Sequence, residues 1–234
     1  MTKQKGRIRV LVTVSGGLDS AVAAHLAVRD YGHDNVGLVY VDTGTVHAHK
    51  AEVVVRHLKT NLGCEFFALR AEVPSQIRDR YYLFNKALYE AEVKRRKQGV
   101  ADMCISDDRF LELYVPGLYM MIWNLVGALG ASELYDLIWT GHHKQPKDLL
   151  ERVTSDLMDT SISFLNVLNE MRDVLWGPNA PLFDLPPLAT LYKEEVMGLA
   201  RELGVDIEAT NSCDLWPPCG VCFECQLRER ALKK

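Results

Sequence analysis

Two groups of residues in this 234-residue chain have the types and spacing to do chemistry. The first is Ser15-Gly16-Gly17-Leu18-Asp19-Ser20, which follows the apolar run 8–12 and leads into Ala21-Val22-Ala23-Ala24-His25-Leu26-Ala27. Strand, glycine turn and helix in that order form an anion cradle. Two glycines let the backbone turn sharply and approach a phosphate, and the following helix aims unpaired N–H groups and its positive dipole end at the same point. Ser15 and Ser20 add hydroxyl donors, and Asp19 can hold a magnesium ion that offsets the charge of a pyrophosphate. The pattern lacks the Lys that follows the second Gly of a P-loop and the three spaced glycines of a dinucleotide site. The plain alternative is a turn that only connects a strand to a helix.

The second group is Cys213, Cys219, Cys222 and Cys225, separated by five, two and two residues. Four thiolates at these spacings, with Gly220 permitting a tight turn, match a closed tetrahedral zinc site. Because every ligand position would be protein sulfur, the ion has no open position for substrate and is structural, holding the C-terminal tail against the main body. An iron–sulfur cluster is the competing reading, and disulfides suit a reducing compartment poorly. Cys64 and Cys104 lack such partners and read as ordinary thiols.

These groups need a scaffold. A chain of this length with 48% hydrophobic residues can bury a full core as one α/β domain with a small appendage. A net charge of -4 and a pI near 6.0 argue against a dedicated nucleic-acid binder, which usually shows a basic face. The basic start, 1–9, is followed by too short an apolar run for a signal peptide, and the longest apolar stretch, 118–129, falls short of the roughly 20 residues of a membrane span. Ligand-spaced cysteines without an export signal point to a reducing cytoplasm and no membrane contact.

The β-branched run 7–14 predicts a strand buried on both faces, residues 20–31 a helix, 36–41 a second strand, 47–62 a helix stopped by Gly63, and 65–69 a third strand. That rhythm predicts a doubly wound, mainly parallel sheet with right-handed crossovers. Residues 75–98 are mostly helical in composition and carry Lys94-Arg95-Arg96-Lys97, a run that reads as a solvated helical surface or a nucleic-acid contact. Residues 101–109 have weak periodicity and read as a loop near the site. An apolar helix over 118–131 precedes a buried strand over 137–141, and the latter ends in Gly141-His142-His143-Lys144, where the two histidines are ordinary loop residues or ligands. A helix is expected over 148–172, extended chain over 177–187 with its four prolines, and a further helix from Leu188 with Thr190 or a neighbour as cap. Ligands of such a sheet sit at the C-terminal strand ends, so main-chain groups at 39–41, Tyr40 among them, and Gly141 are candidates to meet an adenine nucleotide.

The Ser-Gly-Gly-x-Asp-Ser segment resembles the signature of the ATP pyrophosphatase (PP-loop) family, whose members cleave ATP between the α and β phosphates. Lys193, within Leu191-Tyr192-Lys193-Glu194-Glu195-Val196, is similar to a Lys that reaches the ATP phosphates in several of these enzymes, a surface Lys being the alternative. With the Val115-Pro116-Gly117 turn, Thr140-Gly141 and Cys219-Gly220-Val221-Cys222-Phe223-Glu224-Cys225-Gln226-Leu227-Arg228 in the same order, nearly the whole chain resembles the 7-cyano-7-deazaguanine synthase (QueC) family.

The resemblance implies an ATP-dependent ligase that adenylates 7-carboxy-7-deazaguanine and converts it with ammonia, through an amide, to the nitrile, releasing AMP and pyrophosphate. It implies ATP, Mg2+ and Zn2+ as cofactors and a homodimer. It assigns catalysis to Ser15, Asp19 and Lys193, nucleotide contacts to Ser15, Gly16, Gly17, Leu18, Asp19, Ser20, Tyr40 and Gly141, and metal to Cys213, Cys219, Cys222 and Cys225. The expected division is a PP-loop domain over 1–205 and a four-cysteine element over 206–234.

The chain departs from the family at Leu118-Tyr119, where an Arg-Asn pair is usual, at Thr43-Gly44-Thr45-Val46-His47, and in the loop after Gly141. ATP handling therefore looks retained while the acceptor pocket looks changed. Two alternatives stand beside the synthase: a diverged ligase that stops at the amide or joins the acid to another amine, such as one on a protein, and a non-catalytic nucleotide- and zinc-binding module.

Overall fold

The computed structural model describes residues 7–99, 115, 117–142 and 162–233. The expected 101–109 loop, Cys104, Pro116, His143, Lys144 and the 148–161 part of the expected helix lie outside the described residues.

The β-branched run forms β1 (Val10–Thr13), and the glycine turn leads directly into α1 (Leu18–Tyr31), capped by Gly17 and stopped by Gly32. Next come β2 (Val36–Asp42), α2 (Ala48–Leu62), stopped by the left-handed Gly63, and β3 (Glu65–Arg70). The alternation expected from 7 to 70 is therefore present.

The charged stretch that follows splits into α3 (Ser75–Arg78) and α4 (Lys86–Lys97). Asn85 caps the second by accepting from the N–H groups of Ala87 and Leu88. Beyond are α5 (Leu118–Ser132), β4 (Leu137–Trp139), α6 (Ile162–Trp176), β5 (Leu182–Asp184), α7 (Lys193–Glu202) and α8 (Phe223–Lys233).

The helix expected from Leu188 begins later. Pro187–Thr190 is a single 3-10 turn, and the Thr190 hydroxyl donates back to the Pro187 carbonyl instead of capping a helix. Tyr192 is the cap, its N–H donating to the Glu195 carboxylate at 2.7 Å. A proline pair at 186–187 favours extended or turn backbone, which delays the helix and makes Lys193 its first residue.

The five strands lie in the order β3-β2-β1-β4-β5, every pairing parallel. Successive residues supply opposite faces, as the period of a strand requires. Val10 and Val12 of β1 and Leu38 and Tyr40 of β2 join the cluster packed against α1, α2, α7 and Ala231 of α8. Leu11 and Val39 join the other face with Trp123 and Val126 of α5 and Leu165 and Leu168 of α6. Two covered faces make the sheet doubly wound. The chain leaves β1 toward β2 and leaves β4 toward β5, so the connections part at the C-terminal ends of β1 and β4, the switch point where such sheets open a crevice. No helix among the described residues is long and apolar enough to cross a membrane.

Candidate functional site

The glycine turn lies at that switch point. Gly16 adopts φ 84°, a conformation glycine reaches without strain, and its α-carbon faces Ala51 and Val54 of α2, where an added Cβ would come within 3.4 Å of Ala51. The Ser20 hydroxyl donates to the Gly17 carbonyl at 2.9 Å and accepts from the Ser15 N–H at 3.2 Å. The Ser15 hydroxyl lies 3.4 Å from both the Ser20 hydroxyl and the Gly17 N–H. The two serines thus brace the turn that α1 points at. Leu18 is fully buried in the core, so only its main chain is available to a ligand.

Lys193 is brought onto this turn from α7. Its ammonium donates to both carboxylate oxygens of Asp19, at 2.7 and 2.6 Å, and lies 4.0 Å from Glu224 of α8. Lys193 is 0% exposed and the Asp19 side chain 18%, which removes the surface-lysine alternative. A lysine in the first turn of a helix opposes the helix dipole, and Asp19 offsets it. A buried ammonium against a carboxylate at the mouth of an anion cradle can bind and follow a charged phosphate. Asp19 retains acceptor capacity on its oxygens, and a magnesium site built from one protein carboxylate and phosphate oxygens is a common arrangement. The donor set therefore fits that ion when a nucleotide is bound.

Gly141 leaves β4 and packs against the first turn of α1. A Cβ there would lie 2.8 Å from the Ser20 nitrogen and 3.2 Å from the Asp19 carbonyl carbon, both main-chain atoms that cannot swing aside. Tyr40 is buried, its hydroxyl donating to the Ala48 carbonyl at 3.1 Å, and burial pushes that phenol up to about 12. Its side chain is thus committed to joining β2 with α2. The Val39 carbonyl accepts from Val14 at the end of β1, and by strand alternation Val41 turns its main chain to the same side beyond that end. His142 pairs with the Thr140 hydroxyl.

The four cysteines converge. Their sulfurs lie within 4.8 Å of one another, with Cys213–Cys219 and Cys213–Cys222 at 3.7 Å and Cys219–Cys225 at 3.9 Å. A tetrahedron with metal–sulfur bonds of about 2.3 Å has edges of about 3.8 Å, whereas a disulfide needs about 2.05 Å. Main-chain N–H groups of Leu215 and Cys222 donate to Cys213 and Cys219 at 3.3 and 3.4 Å. Donation from Cys222 pushes the Cys213 thiol far below its ordinary range, and the same contact pushes Cys222 up. A cation bound among them would offset the charge of four ionised sulfurs. The residues fit a metal.

Two connections to this cluster have no local signal in the sequence. Asn211 donates its main-chain N–H to the Gly16 carbonyl at 3.0 Å, while its side-chain amide donates to the carbonyls of Cys213 and Leu215 at 2.7 and 3.1 Å and accepts from the Cys213 N–H at 3.2 Å. Arg96, from the basic run, is 1% exposed. Its guanidinium donates to Glu92 at 2.6 Å and Asp214 at 2.8 Å and reaches Cys219 Sγ at 3.8 Å, and Tyr82 donates its hydroxyl to the same Asp214. Lys94 and Lys97 are exposed, while Arg95 and Arg96 both turn onto the buried Glu92. An Asn or an Arg pairing across more than a hundred residues leaves no periodicity to detect.

The family model described as Queuosine biosynthesis protein QueC matches residues 9–234. The chain is 26% identical over 236 residues to the 7-cyano-7-deazaguanine synthase of Saccharolobus solfataricus, spanning 100% of this chain and 47% of that protein, so it covers about half the length of that relative. It is 28% identical to the 7-cyano-7-deazaguanine synthase of Koribacter versatilis over 96% of this chain and 89% of that one. The same-named protein of Leptospira biflexa is 25% identical over 98% and 90%.

Proposed function

The chain belongs to the QueC family, and from that premise we propose that it is an ATP-dependent carbon–nitrogen ligase acting on 7-carboxy-7-deazaguanine with ammonia. The observation that carries the reading is the buried Lys193 ammonium forked on Asp19 beside the Ser15–Ser20 turn. A carboxylate is a poor electrophile because its leaving group would be oxide. Attack of the carboxylate oxygen on the α-phosphorus of ATP expels pyrophosphate and gives an acyl adenylate, whose leaving group is AMP. Ammonia then adds at the acyl carbon, AMP departs, and loss of a proton leaves the amide. To reach the nitrile the amide oxygen must leave in the same way, so it takes AMP from a second ATP and the adenylated oxygen is eliminated with two protons.

On this reading the residues of the chain position and neutralise rather than form a covalent intermediate. The turn N–H groups and serine hydroxyls hold the β and γ phosphates, and Lys193 follows the leaving pyrophosphate. Asp19 would hold Mg2+, which when bound offsets phosphate charge. The main chain of Val41 and the packing of Gly141 on α1 border the space for the adenosine. Among the described residues, the Nδ1 of His47 and the Oγ of Ser212 are buried without a hydrogen-bond partner, and ligand contact would satisfy them. Cys213, Cys219, Cys222 and Cys225 would hold Zn2+ as a closed structural site, within an element that spans 206–234 beside a nucleotide-binding body of 1–205.

The test is a mass-spectrometric assay of purified protein with ATP, magnesium, ammonium and 7-carboxy-7-deazaguanine, following base and nucleotide together. Nitrile with AMP and pyrophosphate is the expected result. Amide alone indicates a ligase diverged in its acceptor loops, and the absence of both products with ATP still bound overturns the substrate assignment.

A further inference from the structure

We propose that Asn211 couples the four-cysteine site to the nucleotide turn, so that metal binding preorganises the phosphate cradle and nucleotide binding tightens the hold on the metal. This inference rests on the nucleotide reading above and adds a positioning residue to it. The physical basis is that one residue is bonded on both sides. Its main-chain N–H is the donor to the Gly16 carbonyl, and its carbonyl oxygen lies 3.5 Å from where a Cβ on Gly17 would be, so the peptide of Asn211 lies directly against the glycine pair. Its side chain closes a ring of three hydrogen bonds around Cys213 and Leu215.

Cys213 is the cysteine that stands apart in the chain from the other three and yet shares 3.7 Å contacts with two of them. Drawing its sulfur into a metal tetrahedron therefore fixes the Cys213 main chain, which fixes the amide of Asn211, which fixes the direction of the Gly16 carbonyl. The orientation of that peptide sets where the adjacent N–H of Gly17 points, and this is the group a phosphate would meet. A second strut runs parallel. α8 begins inside the cysteine group and brings Glu224 to 4.0 Å from Lys193, while Arg228 donates to the Thr210 hydroxyl at 2.9 Å and the Ile207 carbonyl at 2.6 Å, holding the segment that leads into Asn211.

The sequence places the glycine turn and the first cysteine nearly two hundred residues apart, yet Asn211 is bonded to both. Thermodynamic linkage requires the effect to be reciprocal: whatever factor zinc adds to nucleotide affinity, nucleotide adds to zinc affinity.

The experiment uses the full chain loaded with zinc. Zinc release to a chromogenic chelator is timed with and without saturating α,β-methylene-ATP, which cannot be cleaved at the bond this reading concerns. The expected result is release slowed about fivefold or more, in the usual range for coupled sites, and a matching loss of analogue affinity in zinc-depleted protein. In Asn211→Ala, with zinc content and circular dichroism unchanged, the slowing is expected to shrink toward onefold. Analogue that binds wild-type protein without altering zinc release overturns the coupling and leaves the ligase reading standing. Absence of analogue binding overturns the nucleotide reading and the coupling with it. Should Asn211→Ala fail to fold, the wild-type measurement decides alone, and full coupling in a folded, zinc-loaded Asn211→Ala overturns the role of this residue.

Discussion

Lys193 and Asp19, 174 residues apart in the chain, meet with both carboxylate oxygens within 2.7 Å of one ammonium. The pair sits at the opening of the glycine turn, and Lys193 is wholly out of solvent. Breaking it is expected to affect both activity and stability.

Among the described residues, Asp19→Asn leaves the buried ammonium with the Glu224 carboxylate at 4.0 Å as its nearest anion. Loss of one partner of a buried pair destabilises by roughly 3–5 kcal/mol. AMP formation is expected to vanish, and the melting temperature to drop. Lys193→Met keeps the bulk of the side chain and removes the cation, and is expected to lower AMP release by about a hundredfold or more, the scale seen when one transition-state donor is lost. Turnover at the wild-type rate in either variant would remove the pair from the chemistry.

Gly141→Ala tests the packing of β4 on α1. The new methyl would sit 2.8 Å from the Ser20 nitrogen, so the turn must shift. Overpacking of this kind destabilises by about 1–3 kcal/mol. Weaker binding of α,β-methylene-ATP, measured by calorimetry, is expected to accompany the lower melting temperature.

Cys222→Ser removes the most buried sulfur of the cluster. Zinc content by elemental analysis is expected to fall well below one per chain and thermal stability with it, because the site closes the C-terminal element. Full zinc occupancy with an unchanged melting curve would count against four-sulfur coordination.

Arg96→Gln removes one of the guanidinium partners of Glu92, itself 2% exposed and also bonded by Arg95, and takes a guanidinium away from Cys219 Sγ. Less charge compensation makes the thiolates poorer company for one another and the metal easier to extract. Faster zinc release to chelator and a shifted sulfur-to-metal absorption band in the Co2+-substituted protein are expected. Release and spectrum identical to wild type would show that Arg96 only ties α4 to the tail.

Burial pushes the Cys64 thiol up to about 11 from 9.0. The fold favours its neutral form, so this group weakens stability only as pH climbs from about 9 through 11, and below that window its contribution is constant. At pH 8 burial therefore holds this thiol in its neutral, unreactive form. Mass-spectrometric mapping after brief iodoacetamide treatment at pH 8 is expected to find Cys64 unlabelled in native protein and labelled after denaturation.

The sequence by itself determined the parts whose cause is short-range. Two glycines after a β-branched run and before an alanine-rich helix can only turn in a few ways, so the strand, turn and α1 were legible from residues 7 to 31. The cysteine spacing likewise marked a ligand set, since two-residue gaps bring successive sulfurs within reach of one ion. Lys193 was readable as a candidate, but the position of its helix start was not, because Pro187–Thr190 satisfies itself in a 3-10 turn instead of opening the helix. What only the tertiary structure decided are the pairings across the fold. Arg96 belongs to a basic run that reads as surface, and its burial against Asp214 depends on how α4 docks on the cysteine loop. Gly141 needs no side chain because the strand order β1-β4 brings it against Ser20. Asn211 meets Gly16 because the segment that follows α7, a helix packed on α1, returns to the start of α1. Hydrogen-bonding capacity is written in each residue, but its partner is chosen by sheet order and packing, which no local spacing records.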